Sequence, residues 1–450
     1  MIVAAPASGS GKTVFTLGLI RHWVRAGLRV ASAKVGPDYI DPAFHAAASG
    51  RPCVNLDPWA MRGSTLAGLA ARLGDGDDVV VCEGVMGLFD GATATEGSTA
   101  DIALRLGWPV VLVLDVRAQA ASAAAVVRGF ATHREGVRIA AVVFNRVGSD
   151  RHAALLREAC ALATPGIPVL GALPRAEGLA LPERHLGLVQ AREHPDLEAF
   201  LERAADLVGR HVETGGLRAL AEAATSPSSA RSSALRLAPP IPPLGQRIAV
   251  ADDAAFAFRY PHVADGWRAA GAELAAFSPL ADESPPPDAD AVYLPGGYPE
   301  LYAGRLAGNA AFLDGLRAAA ARGAVVFGEC GGYMVLGEGL IDADGTRHTM
   351  AGLLALTTSF ADRGLHLGYR RAVLARDCPL GAAGESFRGH EFHYARTLAE
   401  GPGEPLFRCA DATGRPLGTT GLVAGRVMGS FVHLIDRGPD DRKQGADVRD

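Results

Sequence analysis

Lysine is nearly missing from this chain of 450 residues: of 44 basic residues only Lys12, Lys34 and Lys443 are lysine, leaving 41 arginines. Beside so much alanine and glycine, that bias reads as GC-rich coding and speaks to source, not to chemistry. No basic run of five or more occurs and the net charge is −5, which excludes nucleic acid and anionic membrane surfaces as main partners. The six cysteines (53, 82, 160, 330, 378 and 409) contain no C-x-x-C pair. That argues against a zinc knuckle or a disulfide scaffold and for a reducing compartment. Long apolar runs are also lacking, stretches such as Pro109–Leu114 being far too short to span a membrane. Met1 leads directly into an apolar strand and a glycine loop with no leader pattern. The expectation is a soluble, cytoplasmic protein.

What is present is enough apolar material for real cores: 48% hydrophobic against 21% charged residues, and a length suited to two or three domains at roughly 150 residues each. Short apolar runs (Ile2–Ala5, Val30–Ala33, Val79–Cys82, Val110–Leu114, Ile139–Phe144) alternate with helical patterns, the signature of βαβ units around a mostly parallel sheet. The first helix carries Val14, Leu17, Ile20 and Val24 on one face and stops at Gly27. The alternation resumes with Ile248–Ala251, Ala291–Leu294 and Ala324–Phe327. A Ser/Pro-rich stretch between the halves reads as linker. The expected organisation is a P-loop domain over 1–210, a linker over 211–245, a second α/β domain over 246–437 and a charged tail over 438–450. No internal repeat is present.

The first chemical signal is Ala7-Ser8-Gly9-Ser10-Gly11-Lys12-Thr13 between a strand and an amphipathic helix. Glycines let backbone N–H groups approach phosphate, the helix start favours negative charge, Lys12 reaches the β- and γ-phosphates, and Thr13 can ligate Mg²⁺. Pro6 stands where the strict pattern has its first glycine. Val79–Cys82 runs into Glu83, where a second Mg²⁺ contact is expected. Lys34-Val35-Gly36-Pro37-Asp38-Tyr39-Ile40-Asp41-Pro42 sets two acids on a rigid loop. A solvated turn role and a metal or substrate role suit Asp38 and Asp41 about equally. Asp115 closes another strand, as a structural or a catalytic acid. Asn145 ends a strand too, with an adenine-edge contact and the commoner turn role both open.

The second signal is Gly328-Glu329-Cys330-Gly331-Gly332 after an apolar run. It has the form of a thiol nucleophile elbow, in which the helix start lowers the thiol pKa and Gly331 N–H faces an oxyanion. A second donor is expected from Leu294-Pro295-Gly296-Gly297-Tyr298-Pro299-Glu300, at Gly297. A thiolate needs a base, and the candidates are His348, His366, His390, His393 and His433.

Gly-Glu-Cys-Gly-Gly with the late Ser-Phe-Val-His resembles a class I glutamine amidotransferase domain. The resemblance implies that Cys330 forms a γ-glutamyl thioester and that His433 activates it. Most triad families carry Glu two residues after that histidine; here Ile435 stands there, a departure shared with the cobyric acid synthase branch, as is Gly389-His390-Glu391-Phe392-His393-Tyr394. The amino-terminal half resembles dethiobiotin-synthetase-like P-loop amidoligases. Lys34–Phe44 and Glu83-Gly84-Val85-Met86-Gly87-Leu88-Phe89-Asp90-Gly91 look like the a,c-diamide synthases of cobalamin biosynthesis. The resemblance covers nearly the whole chain outside linker and tail. It implies amidation of two acetate side chains of hydrogenobyrinic or cobyrinic acid with Mg²⁺, ATP and glutamine, through an acyl phosphate. Arginine-rich surfaces suit such a polycarboxylate tetrapyrrole. The arginine bias points to the metal-free ring of a GC-rich aerobe. Oligomeric state stays open, a homodimer included.

Cobyric acid synthase ranks second because its region after the second strand lacks Gly-Pro-Asp-Tyr-Ile-Asp-Pro. A nickel-sirohydrochlorin diamide synthase would look much like this chain, and CTP synthase is disfavoured by the missing Glu after His433. A partitioning-type ATPase would have no use for Cys330 and lacks the extra loop lysine at Ala7. A non-catalytic glutaminase-like module would leave glutamine use unaffected by Cys330→Ala.

Overall fold

A computed structural model describes the chain except residues 177, 180, 185, 186, 226–237 and 440–450, so the Ser/Pro-rich part of the linker and nearly all of the tail lie outside the described residues. These divide into two compact units, 1–59 with 63–225 and 60–62 with 238–439.

The amino-terminal unit is built on β1 (Ile2–Ala4), β2 (Val30–Val35), β3 (Val54–Leu56), β4 (Val79–Glu83), β5 (Val110–Asp115), β6 (Ile139–Val147) and β7 (Val169–Pro174), in the order β3-β2-β4-β1-β5-β6-β7. Every pairing in it is parallel. These strands read as continuous apolar runs because a parallel sheet covered on both faces buries every side chain. β1, β2 and β4 are buried throughout. Parallel strands also bring their carboxyl ends to one edge, where ligand sites of such sheets form.

The first helix, α1 (Lys12–Arg25), buries Leu17 and Ile20 as its periodicity predicts, yet Phe15, Leu19 and Trp23 are buried as well while Val14 and Val24 are half-buried. The reason is a helix the periodicity of α1 does not reveal, Leu197–His211, which packs along it. Gly18 permits that approach, since a Cβ there would sit 2.6 Å from the Ala204 carbonyl. Gly27, with φ 85, ends the turn after α1. Thr214–Thr225 is helical, with Leu217 and Ala221 fully buried, within the segment expected as linker.

In the carboxyl-terminal unit a ten-stranded sheet starts with parallel strands Glu273–Phe277, Arg247–Ala251, Ala291–Leu294, Val325–Glu329 and Val427–Ser430. It continues antiparallel through Pro416–Ala424, Glu404–Ala410, His366–Leu374, Ser386–His393 and Val432–Arg437. The expected single run Gly429–His433 is thus two strands separated by Phe431. Only that one residue joins an interior strand to the edge strand, so the sheet must curl back on itself. The curl sets His390 opposite His433.

Among the described residues no helix is long and apolar enough to cross a membrane.

Candidate functional site

At the carboxyl edge of the parallel sheet, the loop after β1 turns through Gly9 and Gly11 at φ 75 and 85, conformations that favour glycine. A Cβ on Gly11 would also lie 2.1 Å from Asn145 Nδ2. That amide donates to the Ser10 carbonyl at 2.9 Å, so Asn145 holds the loop from the end of β6. It also lines a pocket beside the loop with Arg146, Val14, Phe15, Leu173 and Val208. Arg146, which sequence reasoning passed over, donates to the Gly9 carbonyl at 2.9 Å and pairs with Asp115.

Five more groups converge beside the loop. Thr13 Oγ1 donates to Glu83 Oε1 at 2.6 Å. Lys34 Nζ donates to the same oxygen at 2.9 Å and to Asp41 Oδ2 at 2.5 Å. His45 Nε2 meets Glu83 Oε2 at 2.7 Å. Lys34, Glu83 and His45 are almost wholly buried, so each charge needs its partner. Burial alone works against all of them, but the partners win. Asp41 and Glu83 raise the Lys34 ammonium well above the usual lysine range; Lys34 and His45 hold the Glu83 carboxyl far below the usual carboxylate range; Cys53 and Glu83 raise His45 to about 10. Burial, with Asp38 adding, lifts Asp41 to about 6 despite Lys34. Burial and the nearby Lys34 lower Lys12.

Of the two loop acids, Asp41 enters this cluster. Asp38 Oδ1 instead accepts from the backbone N–H groups of Ile40 and Asp41 at 2.8 and 2.9 Å, shaping the turn. The oxygens of Thr13 and Glu83 form a hard-ligand pair of the kind Mg²⁺ takes, so the residues fit the ion.

In the other unit Cys330 sits between Val325–Glu329 and the helix Gly331–Leu336, with φ 49, the left-handed strain of an elbow. The small neighbours are required sterically: a Cβ on Gly332 would lie 2.0 Å from the Leu294 carbonyl and one on Gly328 2.7 Å from the Gly332 carbonyl carbon. A Cβ on Gly331 would lie 3.1 Å from Gly297 N, so the two expected oxyanion donors are adjacent. Gly297 itself is pressed on Ala255, whose carbonyl a Cβ would meet at 2.0 Å.

The thiol pKa departs from expectation. Burial pushes Cys330 well above its ordinary range, the Glu300 charge adds to this, and the Gly331 N–H opposes it without prevailing. A six-residue helix start is outweighed by loss of water.

The structure sorts the histidines. His433 is buried against Gly296, where a Cβ would touch its ring at 2.2 Å. Burial, reinforced by His390 and His393, lowers it to about 3. The Cys330 backbone N–H donates to Ser430, three residues before His433, and Cys330 Sγ lies 3.9 Å from the Phe392 carbonyl. His348 is engaged by Asp342 at 2.6 Å, and His366 stacks on His393. His393 also meets Glu391 Oε1 at 2.9 Å, and Arg370 takes the other oxygen at 2.6 Å. Among the described residues His366, Glu391 and His393 are the one cluster of three or more His, Cys, Asp or Glu side chains close enough to share a metal ion, though Arg370 already holds the carboxylate.

Residues 1–189 match the CobQ/CobB/MinD/ParA nucleotide binding domain and residues 247–440 the CobB/CobQ-like glutamine amidotransferase domain. A hydrogenobyrinate a,c-diamide synthase from Brucella anthropi is 56% identical over 97% of this chain and 98% of its own length. The chain belongs to the hydrogenobyrinate a,c-diamide synthase family. Proteins of the same name from a Sinorhizobium species and Rhodobacter capsulatus are each 53% identical, again over 97% of this chain and 98% of theirs. As a member of this family, the chain is a glutamine-dependent amidating ligase with a nucleotide-binding P-loop domain.

Proposed function

We propose that the chain amidates the a and c acetate carboxylates of hydrogenobyrinic acid, using ATP and glutamine, through an acyl phosphate. The observation that carries this reading is one chain holding both a P-loop cluster of paired charges and a cysteine elbow, at 56% identity to a relative so named.

A carboxylate is a poor electrophile, so it must be activated before nitrogen can attack. Gly9, Ser10, Gly11 and Lys12 bind the triphosphate, and the Asn145 pocket accepts the base. Thr13 and Glu83 would hold Mg²⁺, which when bound offsets charge on the phosphates. Lys12, Lys34 and Asp41 orient the substrate carboxylate and the transferring phosphoryl group. A carboxylate oxygen attacks the γ-phosphorus, the bond to the β-phosphate oxygen breaks, and ADP leaves. In the amidotransferase unit Cys330 attacks the glutamine amide carbon, Gly297 and Gly331 N–H groups stabilise the oxyanion, and His433 passes the thiol proton to the departing nitrogen. Water then releases glutamate from the thioester. Ammonia attacks the acyl phosphate, its C–O bond breaks, and phosphate and a proton leave.

The test is incubation of metal-free hydrogenobyrinic acid with Mg-ATP and glutamine, with cobyrinic acid alongside, followed by mass spectrometry. Two added amides on the metal-free ring are expected. Amides only on the cobalt ring would overturn the metal-free assignment; none on either would redirect the search to cobyric acid synthase substrates and sirohydrochlorins.

A further inference from the structure

Glutamine amidotransferases of the triad kind orient their histidine with a carboxylate, and the position two residues after His433 is here Ile435, fully buried, its carbonyl meeting His262 Nε2 at 2.9 Å. No acid can act from there. The Glu391 charge opposes the lowering of His433, but the carboxyl group within ion-pair distance of its ring comes from the nucleophile's own strand. Glu329, immediately before Cys330, places Oε2 4.0 Å from His433 Nδ1. Its placement is fixed from two sides: Tyr293 OH donates to Oε2 at 2.7 Å, and the backbone N–H of Leu434, the residue after His433, donates to Oε1 at 3.0 Å. One side chain therefore ties the nucleophile strand to the histidine strand and aims a carboxyl oxygen at the ring.

The rival acid nearby is Glu391, but its two oxygens are taken by Arg370 and His393. Glu329 has no cationic side chain on it among the bonds of the described residues, only the phenol and the amide. A carboxyl held by neutral donors near a ring that must become cationic is the arrangement by which a third group stabilises an imidazolium.

We propose that Glu329 is the positioning residue of the glutaminase site, replacing the usual carboxylate after the histidine: it orients His433 and stabilises its cation. This rests on the reading of Cys330 and His433 given above. When the Cys330 S–H proton moves to His433, the thiolate bonds to the amide carbon. The same proton then leaves with nitrogen as the C–N bond breaks, and Glu329 takes no proton and nothing is oxidised or reduced. Burial raises the Glu329 carboxyl to about 7 against the Leu434 and Tyr293 hydrogen bonds; an adjacent imidazolium would draw it back toward the ionised form.

The experiment compares Glu329→Gln and Glu329→Asp in the full-length enzyme. It measures kcat and KM for glutamine hydrolysis, and amidation driven by ammonium chloride. Glu329→Gln keeps an acceptor for Leu434 N–H but loses the charge; its glutamine kcat should fall at least ~10-fold with KM within about twofold. Glu329→Asp should recover part of that loss, and ammonia-driven amidation should be unchanged in both. An unaltered kcat in Glu329→Gln overturns the proposal. So does a loss shared between kcat and KM, or one equal in Gln and Asp, since either marks a packing role. If the unmutated enzyme makes amide from ammonia but never from glutamine, the underlying reading of Cys330 fails instead.

Discussion

The two reaction centres bury ionisable groups to the same depth and reach opposite outcomes. Under the P-loop, Lys34 and His45 lie 2.9 and 2.7 Å from the two oxygens of Glu83, and all three are driven toward their ionised forms. Around Cys330, burial prevails: the thiol is pushed up, and His433 and His390 fall to about 3. The difference follows from pairing. A buried charge persists where an opposite charge is placed against it and is lost where burial is joined by a charge of the same sign, as it is by Glu300 at Cys330 and by Arg370 at His390. One site thus holds its buried charges as opposed pairs. The other holds its thiol neutral.

The sharpest way to break this contrast is to remove one centre at a time. Cys330→Ala should cut glutamine-dependent amidation by on the order of 10⁴-fold or more, the scale of deleting a nucleophile, while ammonia-driven amidation persists. Loss of both would end the division of labour. Lys12→Ala should lower amidation with either nitrogen source by about 10²–10³-fold, the scale of removing a charge-stabilising donor, and spare glutaminase turnover. Normal amidation in that variant would take the P-loop out of the mechanism. Rates with both donors, measured side by side, read both variants.

What the sequence made legible were the groups whose chemistry is local. Glycine loop, lysine and threonine lie within five residues, Gly9–Thr13, and the cysteine elbow within Gly328–Gly332, so spacing alone exposes them. The strands of the parallel sheet were legible because both faces are buried. Lys34 lies in a recognised motif yet its role is hidden there, because its partner Glu83 is brought to it only by the pairing of β2 with β4, and Asp41 is turned back onto it only by the loop that leads into the next helix. Glu329 and the Gly389–Tyr394 segment stayed silent for a similar reason: their neighbours are set by a sheet that curls. The helix packed on α1 and the reversed thiol shift share one cause, since the extent of burial is a property of the whole fold and not of a motif.

Two buried histidines turn the contrast into a pH experiment. His45 is raised to about 10, so the native amino-terminal unit keeps a proton that the unfolded chain sheds above pH ~6.5. Its contribution is full below 6.5 and is lost as pH rises to about 10. His390 is lowered to about 3 by burial and Arg370, so the unfolded chain binds a proton the native unit refuses between pH 6.5 and 3, and stability is lost as pH falls. Relative to the parent, His45→Gln should gain stability on raising pH through the first window. His390→Gln should gain on lowering pH through the second. Each slope should reach about 1.4 kcal/mol per pH unit at most. Hydrogen-exchange protection of each unit measures both. Slopes of the same sign would dissolve the contrast.

The smallest expected effect tests how far the phosphate site is pre-formed. Gly9 and Gly11 adopt left-handed conformations, and Asn145 adds a single amide bond to the loop at the Ser10 carbonyl. A carbonyl only accepts, so the amide nitrogen must face it, which leaves Oδ1 to the Arg146 N–H at 2.9 Å. Asn145→Ala removes one such bond, worth about 0.5–1.5 kcal/mol, and ATP Kd by calorimetry should weaken by roughly 3- to 10-fold with glutaminase kcat untouched. Asn145→Asp should weaken it further, because a carboxylate would confront both the Ser10 carbonyl and the incoming phosphates. Equal affinity for the parent and Asn145→Ala would mean the glycines and the Arg146 bond to Gly9 shape the loop without Asn145, and the Asp variant would then separate loop shape from charge.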